Sequence, residues 1–220
     1  MQLSSDPVTD CKNQLERESI LKQNSLFRSP KVIYALIAGF LSYSALAQSR
    51  PQKITVHFDP AATEIRWRLN GNTHTVEGTF NLKGGAVSFD PATGVADGEL
   101  VVDLVTGESG NKDRDAKMQK DVLESNKYPY ATLHPSRISG TLKPGGTQTI
   151  TADGVFNIHG ADHPLQLQVS LKLEGSQATA TTHFIVPYVA WGMKDPSVLL
   201  LRVGKEIDIN IVAHGSVEQK

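Results

Sequence analysis

His74, His159, His163 and His183 are the side chains whose chemistry first asks for an explanation, since imidazoles are common metal ligands and proton carriers. His159 and His163 stand four apart, but they flank a turn, His159-Gly160-Ala161-Asp162, and do not share a helical face. The spacing therefore predicts no metal site. Asn111, Asp113 and Asp115 have the spacing that opens a calcium loop, yet Ala116 stands where the loop needs Gly and Val122 where it needs Glu. Those residues read instead as the start of a helix, where acidic groups meet the positive end of the helix dipole. Ser197 has no base beside it in sequence, and no Gly-x-Ser-x-Gly elbow, phosphate loop or His-Glu-x-x-His motif occurs. We expect no catalytic residue, no metal and no cofactor, and read the chain as a non-enzyme.

Charge and cysteine content narrow the classes further. With 22 basic and 23 acidic residues mixed along the chain, the formal net charge is -1, so no basic field exists to attract nucleic acid. The single cysteine, Cys11, excludes an internal disulfide and a Cys-based zinc site. Stability must come from packing.

The elements that supply that packing are written with the period of strands. Leu165, Leu167, Val169, Leu171 and Leu173 alternate with polar partners, and the same period groups Ile65, Trp67 and Leu69. It continues in Val76, Gly78, Phe80 and Leu82; in Leu100, Val102 and Leu104; in Phe156 and Ile158; in Ala180, Thr182, Phe184 and Val186; and from Val203 to Ile211, with Lys205 as a break. Asn70-Gly71-Asn72, Gly84-Gly85, Asp90-Pro91, Pro144-Gly145-Gly146, His159-Gly160 and Glu174-Gly175-Ser176 read as turns between roughly eight antiparallel strands. A closed barrel and a two-layer sandwich both satisfy this pattern. One stretch, 111–125, has a helical period in Ala116, Met118, Val122 and Leu123, with Asn111 or Ser109 as its cap and Tyr128-Pro129 as its stop. Trp67, Phe80, Phe156, Phe184 and Trp191 either fill a core or line a cavity, and an eight-stranded barrel allows both.

Ahead of the strands, residues 32–46 form an apolar run preceded by Arg28 and Lys31 and followed by Ala45-Leu46-Ala47, the order of a cleaved export signal. As a helix it would be about 22 Å long, short of the roughly 30 Å hydrocarbon core of a bilayer. We therefore expect residues 1–47 to be an N-terminal extension plus signal peptide cleaved after Ala47, with an uncleaved N-terminal membrane anchor as the rival reading, residues 48–53 a linker, and 54–217 the barrel domain. Residues 1–27 read as foreign to the native precursor, with an alternative start at Leu26.

Four segments stand out: His74-Thr75-Val76-Glu77-Gly78-Thr79-Phe80; the run from Ser109 through Met118 and Leu123 to Lys127-Tyr128-Pro129; Gly154-Val155-Phe156-Asn157-Ile158-His159-Gly160; and the turn at 187–192. In these the chain resembles the YceI-like family of lipid- and polyisoprenoid-binding proteins. The chain departs from the family at Asp59-Pro60-Ala61-Ala62-Thr63, where an Asp-Pro-x-His-Ser opening is common, and at Asn70, where a His is common. The resemblance implies an all-β, eight-stranded antiparallel lipocalin-like barrel with one short amphipathic helix, an apolar channel, and a periplasmic or secreted location. It also implies a long-chain isoprenoid or other lipid as partner, with the membrane met only transiently. By strand parity Trp67, Leu69, Phe80, Phe156, Ile158, Leu167, Val169, Phe184 and Ile209 would line the interior, with a polar head at a mouth near Trp191. The rival expectations are a packed extracytoplasmic barrel with a structural or adhesion role, and a barrel enzyme acting on an apolar substrate.

Overall fold

A computed structural model describes residues 53–141 and 145–219. The expected leader and its expected cleavage site, Cys11, nearly all of the expected linker and Pro144 lie outside the described residues. The described residues form nine strands: β1 (Ile54–Phe58), β2 (Glu64–Asn70), β3 (Thr75–Phe89), β4 (Ala96–Glu108), β5 (Tyr130–Ser139), β6 (Thr147–Ile158), β7 (Ala161–Glu174), β8 (Gln177–Val186) and β9 (Ile207–Gln219). A helix, α1 (Lys112–Lys117), runs into a π-helical turn, Met118–Val122, between β4 and β5.

The nine strands occupy eight positions. β1 and β2 both pair antiparallel with β3 on one side and β9 on the other: Ile54 stands opposite Phe89 and Gln219, Trp67 opposite Gly78 and Ile209. They are two halves of one strand interrupted at Asp59-Pro60-Ala61-Ala62-Thr63. There the Asp59 carboxylate accepts the Ala61 N–H at 2.9 Å, and the Thr63 hydroxyl donates to the Asp59 carbonyl at 2.8 Å. From β9 the ladder passes through β8, β7, β6, β5 and β4 back to β3, so the sheet closes on itself. The fold is an eight-stranded antiparallel barrel, and the sandwich alternative is excluded.

Gly84-Gly85, read from the sequence as a turn, is not one. β3 continues through it, and the pairing with β4 shifts there so that Leu82 faces Val102 while Gly84 faces Val101, leaving Lys83 as the extra residue of a bulge. Both glycines have positive φ, and a Cβ on Gly85 would overlap the Glu99 carbonyl. The bulge also reverses parity. Before it Val76, Phe80 and Leu82 are buried; after it Val87 and Phe89 are. One 15-residue strand, roughly 50 Å long at the usual rise, can thus curve around the barrel while keeping its apolar side inward.

β1 and β5 lie outside the alternating runs read from the sequence. In β5 Pro135 stands mid-strand, which normally argues against a strand; here the register with β6 shifts between Pro135 and Arg137, and the bulge absorbs the missing N–H. Val203 and Lys205, read as the beginning of the last strand, precede it: Val203 makes an isolated bridge to Gly71, and β9 begins at Ile207.

Buried residues form two clusters along the barrel. One contains Ile65, Trp67, Phe80, Leu104, Leu123, Ala131, Phe156, Ile158, Tyr188, Met193 and Ile209; the other contains Ile54, Val56, Val87, Phe89, Ala96, Ile138, Ile150, Leu171 and Ala178. Because neighbouring strands are antiparallel, the connections 71–74, 109–129, 159–160 and 187–206 all emerge at one end, here called the upper end. The lower end carries shorter connections and the second cluster.

Candidate functional site

The upper end is built around the only helix among the described residues. Asn111 caps it, its side-chain oxygen accepting the Arg114 N–H at 3.0 Å. The Arg114 guanidinium holds the Ser109 hydroxyl at 2.7 Å and the Ser109 carbonyl at 2.8 Å, and that hydroxyl donates to the Asp115 carboxylate. Asn111 and Asp115, two of the three residues with calcium-loop spacing, are thus spent on fixing the helix start. At Met118 the helix widens into the π turn, closed by Leu123 N–H to the Met118 carbonyl at 2.9 Å. Widening changes the phase, so Met118, Val122 and Leu123 face the barrel, whereas Ala116, expected on the same face, is exposed. Gln119 fastens the turn to β4 by donating to the Leu104 carbonyl at 2.8 Å.

At the helix exit Glu124 and His159 pair at 2.7 Å, both with positive φ. Tyr128 lies against the His159 ring at 4.5 Å between centroids, and a Cβ on Gly160 would strike the Tyr128 ring. Deeper in, Gly78 stands opposite Trp67, and a Cβ there would overlap the indole, so the glycine makes room for the tryptophan.

Under this cap lies a cavity of about 480 Å³. Its walls carry Trp67, Leu69, Phe80, Phe156, Ile158, Phe184 and Ile209, all expected from strand parity, together with Met118, Val122, Leu123, Ala131, Val186, Tyr188, Met193, Ile207 and Ile211. Its charged residues, Asp113, Arg114, Lys117 and Arg202, come from α1 and the 187–206 connection, beside Gly71, Asn72, Thr73 and His74 of the β2–β3 turn. These mark its mouth at the upper end. A second cavity, about 150 Å³, lies toward the lower cluster; Leu167 and Val169 line this one rather than the first. Ile65, Val102, Phe156, Phe184 and Ile211 border both and form a waist, where Phe156 and Phe184 meet edge-on at 6.0 Å.

Trp191, expected at the mouth, lines neither cavity. The turn at 187–192, closed by Trp191 N–H to the Pro187 carbonyl at 3.0 Å, lays its indole flat on His163, with ring centroids 3.9 Å apart, and places it 6.1 Å from Phe156. It backs the wall. His163 stacks on Trp191 with its Nε2 buried and without a hydrogen-bond partner, His159 pairs with Glu124, and the exposed His183 pairs with Asp208 at 3.2 Å. Among the described residues no three His, Cys, Asp or Glu side chains converge as a cation site.

The helical lining residues were legible as an amphipathic face, but their place in the cavity was not, because periodicity does not say which barrel end a helix covers. Tyr188 and Met193 lie in an irregular connection with no period at all. Burial and then the charge of Asp195 push the Tyr188 phenol up to about 12, and it donates to the Gly204 carbonyl at 2.7 Å. Ser197 holds the Asp195 carboxyl below its usual value, its backbone N–H lying 2.9 Å from the carboxylate.

Comparison with known proteins agrees with this architecture. The structure of BcnA from Burkholderia cenocepacia is similar with a TM-score of 0.60 at 21% identity, over 71% of this chain and 98% of that one. A polyisoprenoid binding domain from Saccharophagus degradans, implicated in plant cell wall breakdown, is similar with a TM-score of 0.56 at 14% identity, over 74% of this chain and 98% of that one. No curated protein sequence matches. The model of the YceI-like domain matches residues 57–214, most of the barrel, and the chain therefore belongs to the YceI-like family.

Proposed function

We propose that this protein binds a long apolar lipid, a polyisoprenoid by class, inside the barrel, and serves as a periplasmic or secreted carrier or reservoir. The observation that carries the reading is the cavity of about 480 Å³ whose walls are almost wholly apolar and whose charged residues gather at one mouth. Such a sleeve suits a chain with a polar end: each buried methylene contributes about 0.8 kcal/mol, so affinity grows with length and needs no specific polar contact. The polyisoprenoid binding domain among the structural relatives supports the ligand class, and the charge, apolar run and Ala-x-Ala order of residues 28–47 supports export. The ligand lining is Trp67, Leu69, Phe80, Phe156, Ile158, Phe184 and Ile209 in the larger cavity, with Leu167 and Val169 continuing it below the waist. Trp191 supports Phe156 from behind. The reading involves no catalytic step.

Mass spectrometry of organic extracts from protein purified from its native envelope without detergent tests this. A stoichiometric long-chain lipid is the expected result. An empty extract, together with failure to take up a polyprenol in vitro, would overturn it in favour of a packed structural barrel.

A further inference from the structure

Beside the mouth, the 187–206 connection ends in an apolar point. Val198 and Leu201 bond to each other in both directions, Leu201 N–H to the Val198 carbonyl at 2.8 Å and Val198 N–H to the Leu201 carbonyl at 3.0 Å, so Leu199 and Leu200 form the tip of a tight turn. Leu199 is 95% exposed and Leu200 87%. Leu199 also has a φ of 45°, a left-handed conformation unfavourable for a leucine. The turn is fixed in place. Asn72 donates from its side chain to the Leu200 carbonyl at 2.9 Å and accepts the Arg202 N–H at 3.1 Å, and the Ser197 hydroxyl accepts the Val203 N–H at 3.1 Å. The fold therefore holds two bare leucines outward.

The same turn continues into the cavity, since Val198, Leu201 and Arg202 belong to its lining. Arg114, Lys117 and Arg202 stand at that mouth against a single lining carboxylate, Asp113; Asp195 lies near Arg202, as does Lys205 near Asp195. Apolar tip, cationic rim and cavity mouth thus share one end. We propose that Leu199 and Leu200 insert into the surface of an anionic lipid bilayer, with the rim cations over its headgroups, so that the cavity opens directly onto the membrane. This rests on the lipid-binding reading. It adds to it the side of the molecule that docks and the chemistry of the surface met. Insertion returns both leucines to an apolar medium, and the cations add an attraction that salt screens.

The test uses the full chain carrying Cys11→Ser and Leu200→Cys, labelled with an environment-sensitive dye, and vesicles of equal parts phosphatidylethanolamine and phosphatidylglycerol. The apolar run 32–46 could itself bind vesicles, so the readout is the dye at position 200 rather than total binding. We expect the dye to move from water into an apolar environment with these vesicles. The shift should weaken with salt and with Arg202→Gln plus Lys117→Gln. Leu199→Ser with Leu200→Ser should slow delivery of a vesicle-borne polyprenol by roughly 100-fold. A dye that stays in water on the vesicles overturns the proposal. So does a dye already shielded without vesicles, which would assign the tip to a second copy or to segment 32–46. Uptake of the polyprenol from cyclodextrin bypasses docking. If that uptake persists while docking fails, the cavity reading stands alone; if that uptake also fails, the cavity reading falls with it.

Discussion

Gly78 carries more of this fold than a residue without a side chain ordinarily does. It faces Trp67 across the β2–β3 ladder, and any Cβ there meets both the indole and the Glu108 carbonyl. Trp67 borders the cavity and its indole can give way into it, but the Glu108 carbonyl is backbone and cannot, so Gly78→Ala forces the two strands, β3 and β4, apart. We expect a loss of about 1–3 kcal/mol, read as a lower urea midpoint with an unchanged slope. The Trp67 indole also makes an internal reporter. A ligand in the larger cavity should change its emission, and Trp191→Phe should leave that change in place, because Trp191 lines neither cavity. A response that disappears with Trp191→Phe would place the ligand elsewhere. At position 124 two effects oppose. Removing the carboxylate loses its pair with the mostly buried His159 imidazole, while replacing a residue at φ 46° by glycine relieves backbone strain. Glu124→Ala should therefore cost about 1 kcal/mol, and Glu124→Gly less, in parallel thermal melts.

At the scale of elements, the irregular pieces decide the function while the regular ones were the easiest to read. The alternation of Leu165 to Leu173 predicts β7 because a half-buried strand has no other way to solve its burial, and the structure buries or half-buries all five leucine and valine positions. Gly84-Gly85 misled because a glycine pair suits a bulge as well as a turn, and only the partner strand distinguishes the two. Pro135 hid β5 for the same reason. The cavity lining was legible wherever it lay on a strand and not where it lay on the 187–206 connection, whose order comes from Tyr188, Asn72 and Ser197 rather than from any period. Tyr188 gives that connection a measurable signature. Its phenol is raised by burial from 10.0 to about 12, so the folded state keeps a proton that the unfolded chain releases. The contribution is present below pH 10 and is lost as pH rises toward 12. A tyrosine absorbance titration should show one late-ionising phenol that vanishes in Tyr188→Phe, and that variant should loosen the connection, since the Gly204 carbonyl loses its donor.

For the molecule as a whole, the question is whether the interior is a core with flaws or a site with a shape. The two readings predict opposite responses to added volume. In a packed core a larger side chain forces strain and costs about 1–3 kcal/mol. In a site it fills space meant for a ligand and leaves stability unchanged or raised. Val102 is the position at which to ask, because it borders both cavities at the waist. Val102→Phe should keep the melting temperature and shorten the longest prenyl chain bound, by closing the passage from the cavity of about 480 Å³ to that of about 150 Å³. Phe184→Ala, on the other side of the waist, should lower stability by less than the 3–5 kcal/mol typical of a buried phenylalanine, since its ring already borders open space, and should extend the accepted chain. Affinity across a series of prenyl alcohols of increasing length measures both. A length limit that moves in opposite directions in the two variants identifies the waist as the ruler of chain length; a limit that moves in neither means that the smaller cavity takes no part in binding.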